Sequence, residues 1–254
     1  MAGAAVAVVT GAGSPTGIGF AAALALGRAG YPVVIASTTE RIHARADELQ
    51  RAGCQAAGVV ADLTTDEGVA ALLRAANFTG PVDVLVNNAG MAILGAMDEL
   101  AELDRLSRQQ WQRSLDRNLT SAFLVTRALL PAMRQRGYGR IVNVSSTTGP
   151  VSAVAGDTAY AAAKAGLVGF TRAVALEAAP YGITVNAVAP GWIATGSQTG
   201  REAAAGTRAP VRRSGTPEEI ASVIAFLASR GASYVTGQLI VADGGNSIVE
   251  DHNA

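Results

Sequence analysis

Tyr160-Ala161-Ala162-Ala163-Lys164 places a phenol and an amine four residues apart. On a helix, residues at that spacing share one face, one turn above the other. A free tyrosine loses its proton only near pH 10 and is a poor acid-base group at neutrality. A fixed neighbouring ammonium favours the phenolate, so this spacing predicts a phenol with a depressed pKa, suited to general acid-base work. The intervening alanines favour helix and leave the ring accessible. Upstream, Ser145 and Ser146 close the apolar run Arg140–Val144, which reads as a buried strand. A hydroxyl at such a strand end can donate to a carbonyl oxygen as it gains negative charge. A lone Tyr-Lys pair is more often just a pair on a helix face, so its meaning depends on the elements around it.

Those elements alternate. Strand-length apolar runs begin at Ala5, Pro32, Gln55, Val82, Arg140, Thr184 and Gln238, with helix-length segments between them. The runs are continuous in apolar character, as expected when both faces of a sheet are covered. The pattern predicts a single α/β domain over residues 1–254: a doubly wound, Rossmann-type parallel sheet of about seven strands with helices on both faces. The first strand leads into Thr10-Gly11-Ala12-Gly13-Ser14-Pro15-Thr16-Gly17-Ile18-Gly19, followed by a helix expected over 20–29. Glycines there permit a tight turn and let backbone amides approach a pyrophosphate at the positive end of the helix. Gly11, Ser14, Thr16, Gly17, Ile18 and Gly19 are therefore candidate cofactor contacts.

The second strand ends at Ser37-Thr38-Thr39-Glu40-Arg41. A fold that reads the ribose 2′-hydroxyl of NAD usually carries an acid at this point. Ser37 and Thr38 leave room for a 2′-phosphate that Arg41 can reach, so NADP(H) is favoured and NAD(H) is the alternative; Glu40, slightly late in position, argues the other way. Asp62 and Leu63 follow the third strand, where the carboxylate is placed either to accept from an adenine amine or to cap the helix that starts near Thr65. The fourth strand ends in Asn87-Asn88-Ala89-Gly90. This is a turn sequence whose amides can tie strand ends together beneath a cofactor.

Bulk composition removes other classes. The chain has 254 residues, 49% hydrophobic and 16% charged, with 20 basic and 20 acidic side chains. A large core is expected and disorder is not. Balanced charge without a basic stripe argues against nucleic acid and anionic membrane as partners. One cysteine and two distant histidines give neither an internal disulfide nor a metal-ligand cluster. No stretch reads as a signal peptide or membrane span, and a cytoplasmic location is expected.

Taken together, the glycine motif, Asp62, Asn87–Gly90, Asn118, Ser146, Tyr160, Lys164, Pro190-Gly191 and Asp243-Gly244-Gly245 resemble the short-chain dehydrogenase/reductase family over nearly the whole chain. The resemblance implies a nicotinamide cofactor and hydride transfer between it and a ketone or secondary alcohol. Tyr160 would exchange a proton with the substrate oxygen. Lys164 would lower its pKa and hold the nicotinamide ribose, so both residues count as cofactor contacts as well. Ser146, chosen over Ser145 because Gly149 follows at the family's interval, would orient that oxygen. Asn118 would break its helix locally and support a water next to Lys164. Cofactor contacts from Asn88, Ala89, Gly90, Pro190, Gly191, Ile193 and Thr195 carry over likewise. A narrower reading is a 3-oxoacyl-[acyl-carrier-protein] reductase. An epimerase or dehydratase on the same scaffold would usually carry a separate C-terminal lobe, and a non-catalytic dinucleotide binder need not keep all four catalytic positions.

The sequence also departs from the family. Five residues separate Gly11 from Gly17 where three are common, no basic residue lies in that loop, the span from Ser146 to Tyr160 is slightly long, and residues 91–108 read as an insertion with an extra helical turn over 97–103. Residues 196–214, rich in Gly, Ala and Arg, are expected to form a mobile lid over the substrate. Small residues on the Tyr-Lys helix, expected over 159–179, together with the long helix expected over 111–136, point through the resemblance to a homotetramer or homodimer.

Overall fold

The computed structural model describes residues 5–90 and 101–250. Strands and helices alternate as β1 (Val6–Thr10), α1 (Ile18–Arg28), β2 (Val33–Ser37), α2 (Arg41–Arg51), β3 (Ala56–Val60), α3 (Asp66–Thr79) and β4 (Val82–Asn87). The chain continues through α4 (Arg108–Leu115), a π-helical segment (Asp116–Thr120), α5 (Ser121–Arg136), β5 (Gly139–Val144), α6 (Thr158–Ala178), β6 (Ile183–Pro190), α7 (Gly200–Gly206), α8 (Pro217–Ala228) and β7 (Leu239–Ala242). Each strand starts within one residue of its expected position. Of the extra turn expected over 97–103, residues 97–100 lie outside the described residues; Arg105 and Leu106 donate back to the Glu102 carbonyl in a turn.

All seven strands are parallel, in the order β3-β2-β1-β4-β5-β6-β7. Successive side chains go to opposite faces: Ala7, Val9, Val33 and Ile35 enter one core, Val6, Val8, Val34 and Ala36 the other. Helices α1, α2 and α8 cover the first face, and α3, α5 and α6 the second. Two-sided burial explains why the strands read as continuous apolar runs. Strand order reverses direction between β1 and β4. In an open sheet of this kind the crevice beyond the carboxyl ends of those two strands is where a ligand fits.

Local chemistry sets the helix starts. Thr65 Oγ1 accepts from Gly68 N at 3.0 Å and caps α3, while Asp62 Oδ1 accepts from Thr64 N at 3.0 Å and Thr64 Oγ1 at 2.7 Å. The cap considered for Asp62 thus belongs to Thr65, and Asp62 closes a turn. Thr216 begins α8 with a reciprocal capping box to Glu219 and Pro217 in the first turn.

Gly68 sits in the first turn of α3, where a built Cβ would lie 1.9 Å from the Asp62 carbonyl oxygen. Helix propensity alone makes Gly→Ala favourable by about 1 kcal/mol. Backbone cannot give way there, so Gly68→Ala is expected to destabilise the fold by more than about 2 kcal/mol in urea unfolding. A stabilised variant would contradict this packing.

Candidate active site

Beyond the carboxyl ends of β1 and β4 the chain forms a cavity of about 610 Å³, within the range of small-molecule sites. Gly11, Ser14, Ser37, Thr38, Asp62, Leu63, Asn88, Ala89 and Gly90 line it, all expected cofactor contacts. Its construction begins with Thr10, whose Oγ1 accepts from Asn88 N at 3.0 Å and Ala89 N at 2.9 Å. Asn88 Nδ2 returns bonds to the carbonyls of Thr10 and Gly11 at 3.1 and 3.0 Å. The ends of β1 and β4 are thereby tied together under the cavity floor, as the Asn-Asn pair led one to expect. At Gly11, with φ +70, a Cβ would sit 2.7 Å from Ala89 Cα; at Gly19 it would sit 2.5 Å from Asn88 Nδ2. Only glycine fits this close approach of loop and strand end, and the resulting hollow at the start of α1 suits a pyrophosphate.

The ribose end is hydroxyl-rich. Ser37, Thr38, Thr39 and Arg41 line it, and no carboxylate does so at that strand end among the described residues. Glu40 turns away and pairs with His43 at 3.3 Å. Arg41 Nε donates to Thr39 Oγ1 at 3.3 Å, which holds the guanidinium at the rim. Gly13, Thr39, Thr64, Asp116, Arg117 and Ser121 also line the cavity without having been singled out as contacts from sequence. For Gly13 a signal existed: a Cβ there would press on Ser37 at 3.0 Å.

The other expected contacts lie elsewhere. Pro190 ends β6, two strands away, and Gly191 follows it. Gly191 N donates to Ala242 O at 3.1 Å, and a Cβ at Gly191 would meet Asp243 Cβ at 2.6 Å. Ile193 lines a second cavity of about 250 Å³ with Trp192, Val211, Ile220 and Gly244. Thr195 Oγ1 and Ser197 Oγ lie 2.9 Å apart, and the next residue, Gly196, packs on Thr16, whose Oγ1 would be 2.6 Å from a Cβ there. The segment after β6 thus reaches back over the glycine loop. Within it, α7 is an ordered helix with a Thr199–Glu202 capping box, a start that the weak apolar pattern did not announce.

The chemical groups converge on the end of β5. Lys164 Nζ donates to Val144 O at 2.9 Å, and Ser145 Oγ donates to Lys164 O at 2.9 Å. This clasp occupies Ser145. Ser146 Oγ accepts from Thr148 N at 3.1 Å and is close enough to the Tyr160 phenol to pull its pKa down. The ammonium lies 5.5 Å from the Tyr160 ring centroid, on the same face of α6. Gly149, at φ +104, lets the following loop pass over α6, since a Cβ would be 2.2 Å from Ala161 O. Asn118 lies in the π-helical segment, a local break of the kind expected there. Its Nδ2 donates to Ser114 O at 3.0 Å, and its buried Oδ1 has no protein partner among the described residues. Gly90, at the cavity edge, packs directly on it.

The electrostatics differ from the expectation. Burial pushes the Tyr160 phenol up to about 12; the Ser146 hydrogen bond pulls it down, and the carboxylates of Asp157 and Glu202 raise it further. The expected depression by Lys164 is absent because the ammonium stands over the ring and is bonded to Val144 O rather than to the phenol oxygen. Burial lowers Lys164 itself from 10.5 to about 8. One further signal was in plain view: Lys164 is the only lysine among the 20 basic residues of the chain. Arginine serves everywhere else, and an amine that can titrate stands only here.

A family model described as enoyl-(acyl carrier protein) reductase matches residues 11–247. The chain belongs to the short-chain dehydrogenase/reductase family. Its curated relatives include the 3-oxoacyl-[acyl-carrier-protein] reductase of Pseudomonas aeruginosa, 44% identical over 94% of this chain and 96% of that protein. Another is the cis-4-hydroxycyclohexanecarboxylate dehydrogenase of Sinomonas cyclohexanicum, 43% identical over 96% and 97%. Among solved structures, a variant of actinorhodin polyketide ketoreductase with NADPH is 37% identical, with TM-score 0.87 over 98% of this chain and 100% of that one. The chain is an oxidoreductase of this family. No helix among the described residues is long and apolar enough to cross a membrane.

Keeping Lys164 charged at neutral pH costs the fold roughly 3 kcal/mol. The unfolded chain holds this proton up to about 10.5 and the folded chain releases it near 8, so stability from this group rises between those values and the full cost applies below pH 8. Lys164→Met is expected to be more stable than the native chain at pH 7, with the gap narrowing toward pH 10.5. Denaturant melts at both pH values check it; equal gaps at the two would remove the buried charge as cause.

Proposed function

We propose that the protein is an NADPH-dependent ketoreductase in which Ser146, Tyr160 and Lys164 manage the substrate oxygen and its proton. The observation that carries this is the joint placement of Tyr160 and the Lys164 ammonium on one face of α6, with Ser146 acting on the phenol. The loop at Gly11, Gly13 and Ser14 fits a dinucleotide pyrophosphate, and Ser37, Thr38, Thr39 and Arg41 fit a 2′-phosphate. When bound, the nicotinamide supplies the hydride. Ser146, oriented by Thr148 N, turns its own proton toward the carbonyl oxygen, where the bond strengthens as charge develops. Tyr160 then gives up its proton to that oxygen, and Ser146, which pulls the phenol's pKa down, favours the phenolate left behind. Asn118 Oδ1 is an acceptor for a water beside this path.

A phenol held near 12 stays protonated at neutral pH, which favours ketone reduction over alcohol oxidation. The narrower substrate reading is a 3-oxoacyl thioester, since the names of both the Pseudomonas relative and the polyketide ketoreductase denote ketone reduction. Residues 196–214 act as a lid over that substrate. Exposed Phe123 and Leu176 on α5 and α6, and Tyr234, Val241 and Ile248 around β7, favour a homotetramer built on these two faces. A cytoplasmic setting accords with the lone cysteine.

Tyr160→Phe is expected to cut NADPH-dependent reduction of an acetoacetyl thioester by roughly 100- to 10,000-fold while NADPH binding persists. Retained turnover would take the phenol out of the mechanism. Ser37→Asp places a carboxylate where the 2′-phosphate would lie, and is expected to shift kcat/KM toward NADH by at least about tenfold. An unchanged NADPH/NADH ratio would show that this strand end does not read the ribose.

A further inference from the structure

Behind the chemical groups, the second face of the sheet carries four polar side chains where its neighbours are apolar. Asn87, Thr126, Asn143 and Thr171 are 3%, 1%, 0% and 0% exposed. They form one connected set. Asn87 and Asn143 are directly paired across β4 and β5. Asn87 Nδ2 donates to Asn143 Oδ1 at 2.8 Å and to Thr126 Oγ1 on α5 at 3.0 Å. Asn143 Nδ2 donates to Thr171 Oγ1 on α6 at 2.8 Å, and Thr171 Oγ1 donates to Leu167 O at 2.8 Å. Buried amides and hydroxyls of this kind add little net stability over apolar side chains of the same shape, and a directional bond is what they offer instead.

We propose that Thr171 and Asn143 are positioning residues for the reaction: their hydrogen bond fixes where α6 sits along β5, and so where Tyr160 and Lys164 stand relative to Ser146. This rests on the assignment of Tyr160 and Lys164 to the chemistry. The case is geometric. Helix α6 buries Ala163, Ala175 and Ala178 beside Leu167, Val168 and Val174, and apolar contacts of this kind have no preferred direction along the strand. At its upper end the helix is hydrogen-bonded to the end of β5 at Lys164, by the Nζ–Val144 O bond and the Ser145–Lys164 O bond. An ammonium that must respond to proton transfer is a poor sole anchor. Thr171 lies two helical turns further on, about 10 Å along the axis, on the same face. Two anchors fix both the register and the direction of the helix, whereas one leaves it free to pivot. Asn143 is itself held by Asn87, which reaches Thr126 on the helix that follows the Asn118 segment. One buried chain therefore links the elements carrying Asn118, Ser146, Tyr160 and Lys164.

The test compares Thr171→Ser, Thr171→Ala and Thr171→Val. Serine keeps the hydroxyl, valine keeps the shape, and alanine differs from serine by one oxygen. Two readouts are taken: kcat for NADPH-dependent reduction of an acetoacetyl thioester over pH, and the titration of Lys164, followed as the single lysine side-chain signal after ε-carbon labelling. The expected result is a native-like serine variant. Alanine and valine should lose about tenfold in kcat, with unchanged KM for NADPH and a displaced Lys164 midpoint. Alanine or valine variants that melt earlier but keep native kcat and midpoint would overturn the proposal, leaving Thr171 a packing residue. If valine does not fold, the serine–alanine pair decides alone. If Tyr160→Phe proves active, the mechanism fails separately, and the lysine titration still reports whether Thr171 positions the amine.

Discussion

One buried contact organises this molecule: the Lys164 ammonium donating to the last carbonyl of β5. Charge in an apolar interior is unfavourable, and the lowering of this amine to about 8 records that cost. The fold accepts it and then arranges its neighbours accordingly. Ser145 is spent on the lysine's own carbonyl, so Ser146 is left to face Tyr160. The phenol lies on the helix face that the amine defines. What the chain gains is an ammonium held still in a dry place, where its field on a reacting oxygen is far stronger than in water.

A second constraint concerns where backbone must approach backbone. Gly11 and Gly19 let the first turn lie on the Asn88-Ala89 strand end, Gly90 sits on Asn118, and Gly149 crosses α6. Each contact replaces side-chain volume with proximity, and together they bring three strand ends and three helical segments to one edge of the sheet. The doubly wound order supplies the crevice, and these glycines shape its floor. The two cavities divide the edge between them: one at the β1–β4 reversal with the hydroxyl-rich ribose end, the other beside the segment that follows β6.

Much of this was legible in the residues. Two-sided burial writes the central strands as largely apolar runs, and all seven strand starts were placed to within a residue. The glycine loop, Asn87–Gly90 and the Tyr-Lys spacing named most of the site because each type answers a local need. What escaped depends on neighbours distant in sequence. The raised phenol follows first from burial, which the whole fold sets, and then from Asp157 three residues before it and Glu202 far along the chain. The cap of α3 went to Thr65 because the chain turns at Asp62 first. Helix α7 was hidden by its weak apolar pattern, although Thr199-x-x-Glu202 is a start signal in itself. Asn143 falls within an apolar run, and its partners Thr171 and Asn87 lie far from it in sequence.

The lysine count has a practical side. With arginine at every other basic position, reagents that seek primary amines meet only the chain's α-amino group and one nitrogen shut inside the protein. Lysine-directed acylation would leave the surface untouched and could act only by inactivating the enzyme outright.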